Sequence, residues 1–476
     1  MARPRLYSPF AGPFEFAPEN WETTIDVSRT LQRPPPPSPG HSTRAVLFAP
    51  LLLPALLTVF CCACGPAPPQ HAILITVDTM RADRFGAGGH EQARTPHLDA
   101  FASDAIYFTR AFAHSSFTVP SMASLHTGRL PGEHKLFVNY GKLPQEMPSL
   151  AKVLRGRGFE TGAFIGSYAL RPSRRFNQGF MTYTDDFNSS EAFRDQPENR
   201  AGPLTDAALA WLRKREPDQR IFLWIHYQEP HGPYTPETFD PPDAEGLELP
   251  MNPKNTGIGG IPKYQWLGHG RLAEYEARYD GEITDTDRAL GRFLEGLKQL
   301  GLFDDSVIVF TSDHGEAFGE DDLFCTHGEG LSDALLRVPL IVRVPQSPPV
   351  VRDDTVRLID VASTMLEVLQ VRLDRLGGHS LLEDLGDRTV VAQVGRSEKE
   401  RWRSVRIRDY ELRENGNEVR TLLRGGTIVD SADSNSWEQT LARVLELNAP
   451  WPTDRKKEPA LSEEERANLK ALGYVD

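Results

Sequence analysis

The chain has 476 residues, 39% hydrophobic and 25% charged, enough for one large globular domain and a smaller one. Its formal charge of −13 argues against a nucleic-acid partner, which would call for a basic surface. Three of the four cysteines (Cys61, Cys62 and Cys64) stand together near the amino end, so a domain beginning after Cys64 holds one thiol and no internal disulfide.

Residues 1–43 are Pro-rich, with a run at Pro34, Pro35, Pro36 and Pro37. Arg44 then opens an apolar stretch from Ala45 to Phe60, closed by Cys61-Cys62-Ala63-Cys64-Gly65. A basic residue, an apolar core and a small-residue exit predict an export segment over 44–64. Cys64, between Ala63 and Gly65, is the expected lipidation site, and 65–70 read as a short extended tether. The expectation is an exported protein of the bacterial cell envelope, held to the membrane by a lipid on Cys64. A membrane-spanning helix is the competing reading, weakened by the length of the stretch and its two prolines, Pro50 and Pro54. The extension ahead of the signal suggests a translation start farther along, such as Val27.

Ala72–Val77 is an apolar or β-branched run, and Asp78-Thr79 follow it directly. Thr118–Arg129 reads as a turn entering a helix, with Pro120 in its first turn and Gly128 ending it. Thr118 would then sit at the helix's amino end, where the macrodipole favours anions, although a Thr in that place is usually a cap. Ser149–Arg157 is amphipathic at helical length, and Gly162–Ile165 is a short apolar run. Leu204–Lys214 repeats the helical pattern. Ile221–Ile225 is a run followed by His226 and His231, and Glu282–Leu300 is helical again. Ser306–Phe310 leads into Thr311-Ser312-Asp313-His314-Gly315-Glu316, and Val338–Val344 closes the set. Runs without alternation suit strands buried on both faces, and their alternation with helices predicts a doubly wound, mostly parallel α/β sheet flanked by helices. Ligands bind beyond the carboxyl ends of such strands, where Asp78, His226, His231, Asp313 and His314 all fall. Unpaired charges beside apolar runs are costly, which favours function for Asp78, Asp313 and His314, whereas His226 also reads as a satisfied buried histidine.

Past residue 385, Thr389–Val394, Arg403–Ile407 and Glu418–Leu423 read as strands of mixed polarity. Trp437–Leu447 and Ser462–Ala471 read as helices, giving a small α+β subdomain over 386–476.

Several blocks resemble, in order, those of the sulfatase family. Asp78-Thr79-Met80-Arg81-Ala82-Asp83 is similar to its opening metal motif, and Thr95-Pro96-His97-Leu98-Asp99 to the segment that follows. Thr118–Arg129 resembles its nucleophile motif, C-x-P-S-R-x-x-L-x-T-G-R. Pro230-His231-Gly232-Pro233-Tyr234, Ser312–Glu316, Arg337–Leu340 and the tail Leu469–Val475 resemble later blocks. The resemblance implies an alkaline-phosphatase-superfamily catalytic domain over 71–385. It implies a divalent ion (Ca, Mn or Zn) on Asp78, Asp313 and His314, with Thr118 directed at it. The loop residues His231 and His327 are read as catalytic candidates in contact with substrate or metal, and Arg129 as a brace at the carboxyl end of the Thr118 helix.

The departures are informative. The second opening acid is Thr79, the motif's Arg is Met122, and the family's Lys and His pair is absent from Gly166–Ala169. A later lysine gives way to His327-Gly328. Thr118 cannot yield the formylglycine on which sulfatases depend. A Thr beside a metal suits phosphoryl transfer, sometimes with two ions. A second ion would draw on His226, His231, His327 and Asp285 or Asp287.

The expected activity is hydrolysis of an anionic ester, with phosphoesters favoured. The substrate class is a sulfated or phosphorylated glycan, lipid or small molecule. Two alternatives are a sulfuric ester hydrolase without formylglycine, and a degenerate lipoprotein that binds an anionic glycan or lipid. Arg81 and Asp83 are expected to pair with each other, and Cys325 to be an incidental thiol.

Overall fold

The computed structural model describes residues 68–448 apart from 185–186, 188, 191–196, 238, 240, 243–246, 250–264, 266, 373–375, 384–385, 387, 396–399, 418 and 430–434. The Pro-rich extension, the export segment with Cys64, and the helix expected at 462–471 lie outside the described residues. Among the described residues no helix is long and apolar enough to cross a membrane.

Eight strands form the main sheet: β1 (His71–Val77), β2 (Ile106–Phe112), β3 (Glu160–Ile165), β4 (Thr182–Thr184), β5 (Ile221–Tyr227), β6 (Ser306–Ser312), β7 (Arg337–Arg343) and β8 (Val350–Arg357). Their order is β8-β2-β7-β6-β1-β5-β3-β4. Every pairing is parallel except those of β7, which runs against both β6 and β2. The five runs read as strands are all in this sheet, at β1, β3, β5, β6 and β7, whereas β2, β4 and β8 were not foreseen.

Both faces of the sheet are covered. Along β1, Ala72 and Leu74 join one apolar cluster with Met122, Leu125, Val361 and Met365, while Ile73, Ile75 and Val77 join another with Leu204, Tyr279 and Phe293. Each such fully buried aliphatic side chain contributes roughly 1.5–3 kcal/mol, which is why the strands carry no polar alternation.

The helices that flank the sheet include α1 (Pro96–Ser103), α2 (Thr118–Thr127), α3 (Leu150–Arg155), α4 (Ala201–Leu212), α5 (Leu272–Gln299) and α6 (Ile359–Val368). The Ser149 hydroxyl caps α3 by accepting from Lys152 N at 3.5 Å. α5 begins ten residues before the expected Glu282, because Tyr275 and Tyr279 extend its buried stripe with aromatic rings. All ten residues of α2 are buried. Phe117, in extended backbone, precedes it, and Gly128 ends it in the left-handed region at φ 67°, its N–H donating to Ser124 O at 2.9 Å. Thr118 is thus the first helical residue rather than the cap, and no capping bond is made by Phe117's side chain.

A second, antiparallel sheet holds β9 (Val390–Gly395), β10 (Arg401–Ile407), β11 (Tyr410–Asn415), β12 (Arg420–Arg424) and β13 (Thr427–Ile428), followed by α7 (Asn435–Asn448). Val391, Val405, Leu412, Leu441 and Leu445 form its own small core.

Candidate active site

The central strands bring the chemistry together by register. Val77 lies beside Tyr227 on β5 and Ser312 on β6, so the residues leaving these strands emerge at one level. Asp78 N donates to Tyr227 O at 3.0 Å and Asp313 N to Val77 O at 3.2 Å. Thr79 then takes a positive φ of 58°, a strained conformation for a branched residue, and its N–H donates to Asp313 Oδ1 at 3.0 Å. Tyr279 Oη donates to Thr79 O at 2.7 Å and accepts from Arg81 N at 3.0 Å, which holds the turn in place.

Asp78, Asp313 and His314 are fully buried and place one ligand atom each within 4.8 Å of one another. His314 Nδ1 faces Gly315 O at 2.9 Å. A carbonyl only accepts, so Nδ1 carries a proton, and in the neutral ring Nε2 presents its lone pair to the carboxylates. Nε2 lies 3.3 Å from Asp313 Oδ2 and 4.0 Å from Asp78 Oδ1, and neither oxygen has a hydrogen-bond partner. Three buried electron-rich atoms facing one another suit a cation between them. The donor set of two carboxylate oxygens and an imidazole nitrogen fits a divalent metal.

The charges agree with that geometry. Burial alone would raise the pKa of Asp78, but the hydrogen bond from His226 and the nearby imidazoles of His231, His226 and His314 hold it below the ordinary carboxylate range. Asp313 moves the other way, to about 6, because burial and the neighbouring Asp78 carboxylate outweigh the imidazoles and the Thr79 N–H.

Helix α2 delivers Thr118 to this cluster, its Oγ1 lying 3.5 Å from His314 Nε2. Two bonds fix the helix there. Ser121 Oγ donates to Asp313 O at 2.6 Å, and Asn139 Oδ1 accepts from Val119 N at 2.8 Å.

Two more imidazoles close on the same spot. The His327 ring centroid is 4.6 Å from that of His314 and 5.1 Å from that of His231. His327 Nδ1 pairs with Glu316 Oε1 at 3.1 Å, and Tyr234 Oη donates to Glu316 Oε2 at 3.0 Å. Burial pushes the Glu316 carboxyl up to about 7, against the charge of His231, the Tyr234 bond and the charge of His314. His231 Nδ1 faces Gly232 O at 2.8 Å, leaving its other nitrogen as the acceptor in the neutral ring.

Arg129 stands apart from this group. It lies beyond the carboxyl end of α2, about 15 Å along the axis from Thr118, and its guanidinium pairs with Glu133 at 2.9 Å. The helix that carries Thr118 inward therefore carries Arg129 away. Asp285 and Asp287 are likewise engaged elsewhere: Asp285 accepts from Glu237 N at 2.6 Å, and Asp287 accepts from Leu98 N at 2.7 Å at the start of α1. Arg81 and Asp83 meet as a bidentate pair with both bonds at 2.8 Å, and Cys325 is buried and reduced.

Two participants were not read from the sequence. Glu316 sat within the Ser312–Glu316 block but was assigned no partner, and its link to His327, eleven residues on, was the missing signal. Asn139 lies in a loop with no pattern to mark it.

A doubly wound sheet with acids and a histidine at adjacent strand ends, faced by a hydroxyl at a helix start, is the arrangement expected of the alkaline phosphatase superfamily. Residues 70–371 match the Sulfatase family, and the chain belongs to that family. It is similar to the ulvan-active sulfatase of Formosa agariphila, 28% identical over 347 residues that cover 67% of this chain and 65% of that protein. It is also similar to the multifunctional alkaline phosphatase superfamily protein PehA of Trinickia caryophylli, 26% identical over 401 residues covering 67% of this chain and 77% of the other. Its fold matches the phosphonate monoester hydrolase of Agrobacterium radiobacter at a TM-score of 0.66 and 21% identity, over 79% of this chain and 94% of that one.

Proposed function

We propose that the chain is a divalent-metal-dependent hydrolase of anionic esters, with Thr118 as nucleophile, acting on phosphoesters in preference to sulfate esters. The observation that carries the reading is the cluster in which the partnerless Asp78 Oδ1 and Asp313 Oδ2 face His314 Nε2, with Thr118 Oγ1 3.5 Å from that nitrogen.

A divalent ion (Ca, Mn or Zn) held by Asp78, Asp313 and His314 would neutralise the carboxylates and lower the pKa of an adjoining hydroxyl. Thr118 gives its hydroxyl proton to the unprotonated ring nitrogen of His231 or His327, and its Oγ1 attacks the phosphorus in line and forms an O–P bond as the bond to the leaving oxygen breaks. That oxygen departs with the electron pair and takes a proton from His231 or His327. Water then attacks the phosphothreonine, one of the same imidazoles accepts its proton, and Thr118 is regenerated. Glu316 holds the His327 ring by its Nδ1 throughout. The amino end of the ten-residue helix α2 favours the anionic group.

Position 118 cannot form the formylglycine of sulfatases, and the groups that hold down the Asp78 pKa are imidazoles rather than lysines. Both points favour phosphoryl chemistry, as does the similarity to a multifunctional superfamily member. The ulvan-active sulfatase relative supports a second reading, sulfate-ester hydrolysis, which in this chain would run without formylglycine because position 118 is Thr. A lipoprotein that only binds an anionic glycan or lipid is the third, opposed by the retained metal residues. The substrate would be a phosphorylated or sulfated glycan, lipid or small molecule, met at the cell envelope through a lipid on Cys64. Sequencing the mature amino end checks that placement.

The test assays purified protein with Mn, Zn and Ca in turn on aryl phosphate, diaryl phosphate and aryl sulfate, beside Thr118→Ala. Phosphoester turnover lost in the variant is the expected result. Sulfate turnover that survives Thr118→Ala refutes the nucleophile, and no turnover with any ion favours the binding protein.

A further inference from the structure

We infer that His226 is a positioning residue for the Asp78 carboxylate, locked into one tautomer by a buried hydrogen-bond relay that starts at Trp224, and that it is not itself a metal ligand. The inference rests on the metal reading above.

The relay follows from strand register. On the parallel strands β1 and β5, Thr76 lies directly beside His226, and Trp224 precedes His226 by two residues on the same face. All three side chains are buried from solvent. Trp224 Nε1 lies 2.9 Å from Thr76 Oγ1, and an indole nitrogen can only donate. Thr76 Oγ1 therefore accepts that bond and has its own proton to give. The nearer acceptor is His226 Nδ1 at 2.8 Å, against Ile225 O at 3.4 Å. With Nδ1 accepting, the imidazole proton sits on Nε2, which faces Asp78 Oδ2 at 3.4 Å. His126, 4.2 Å from the Trp224 ring in an edge-on contact, keeps the indole in place.

This direction of bonds has a consequence for the ion. An Nε2 that carries a proton has no lone pair to coordinate with, so His226 is excluded from the ligand set and a second ion at this point loses its nitrogen. The bond occupies Asp78 Oδ2 and leaves Oδ1, the oxygen without a partner, for the metal. Groups that orient a ligating carboxylate in this way typically change metal affinity by roughly 10- to 100-fold when removed.

The test measures Mn and Zn affinity and stoichiometry on the full chain. Wild type is expected to bind one ion. Thr76→Val, which is nearly isosteric, is expected to bind one ion with affinity weakened by roughly 10- to 100-fold. Thr76→Ser restores the hydroxyl and should restore the affinity, which a simple packing defect would not do. Trp224→Phe combined with Thr76→Val should bind no more weakly than Thr76→Val alone, because both break one chain. Two ions in wild type falling to one in His226→Gln overturn the inference, as does unchanged affinity in Thr76→Val. Long-range 15N–1H spectra of histidine-labelled, metal-free protein read the tautomer directly, and a proton on His226 Nδ1 also overturns it. If wild type binds neither ion, the catalytic reading fails, while the tautomer measurement still decides the relay.

Discussion

Gly128 ends the helix that carries Thr118, and replacing it with Ala separates two costs that are usually mixed. Its φ of 67° lies in the left-handed region, where an alanine is disfavoured by about 1 kcal/mol. A Cβ built there would also stand 2.2 Å from Gly377 O and 2.7 Å from Gly377 C, both backbone atoms. Ordinary contact begins near 3.4 Å, so the two chains must part by roughly 1 Å, and overpacking of that kind costs about 1–3 kcal/mol more. Gly301 supplies the control, since its φ is 69° and nothing lies within 4 Å of its Cβ position. Urea denaturation of both variants under one metal concentration is the assay. Gly301→Ala should lose about 1 kcal/mol and Gly128→Ala about 2–4 kcal/mol, with turnover falling further in Gly128→Ala as α2 shifts. Equal losses in the two variants would refute the steric argument, because only the conformational cost is common to them.

Three further outcomes follow from the site and its surroundings. His126 is fully buried, and burial lowers its pKa from 6.5 to about 3, so protonation favours the unfolded chain and stability falls as pH drops below 6.5. Between pH 8 and pH 5 that amounts to about 2 kcal/mol, which His126→Leu should remove when the unfolding free energies of the two proteins are compared at both pH values. Chelation should lower the melting temperature of wild type, while Asp313→Asn, which relieves the facing carboxylates, should melt higher than wild type in chelator and gain little from added Mn. An Asp313→Asn protein that gains as much from Mn as wild type would argue against this ligand set. Tyr279→Phe strips partners from Thr79 O and Arg81 N, both buried, and should destabilise by about 2 kcal/mol in urea, with a change near zero showing that water replaces the hydroxyl.

The central strands were legible because burial on both faces writes them as unbroken apolar runs, as in Ile221–Tyr227. β2 was not, since Thr109 and Arg110 at half-buried positions interrupt its run. β11, with the sequence YELREN, hides its strand character because its charges are paired across the sheet. Glu411 and Glu414 lie directly opposite Arg406 and Arg403 and bond to them at 2.8 and 2.7 Å. The acids and histidine of the site were readable from their places after β1 and β6, where solitary charges have little structural use. The Trp224–Thr76–His226 chain was not, because it depends on which strands are neighbours, a fact that no single stretch of sequence contains. Arg129 shows the converse limit: membership of a motif says nothing about distance when the motif spans a whole helix.

The hydroxyl of Ser121 grips the main chain of Asp313, and this clasp makes no use of the side chain at position 118. The start of α2 and the cluster of acids and histidine are thereby held in mutual alignment by a contact indifferent to which side chain stands at position 118. The side chain at position 118 can therefore change while the helix start keeps its place against the strand ends.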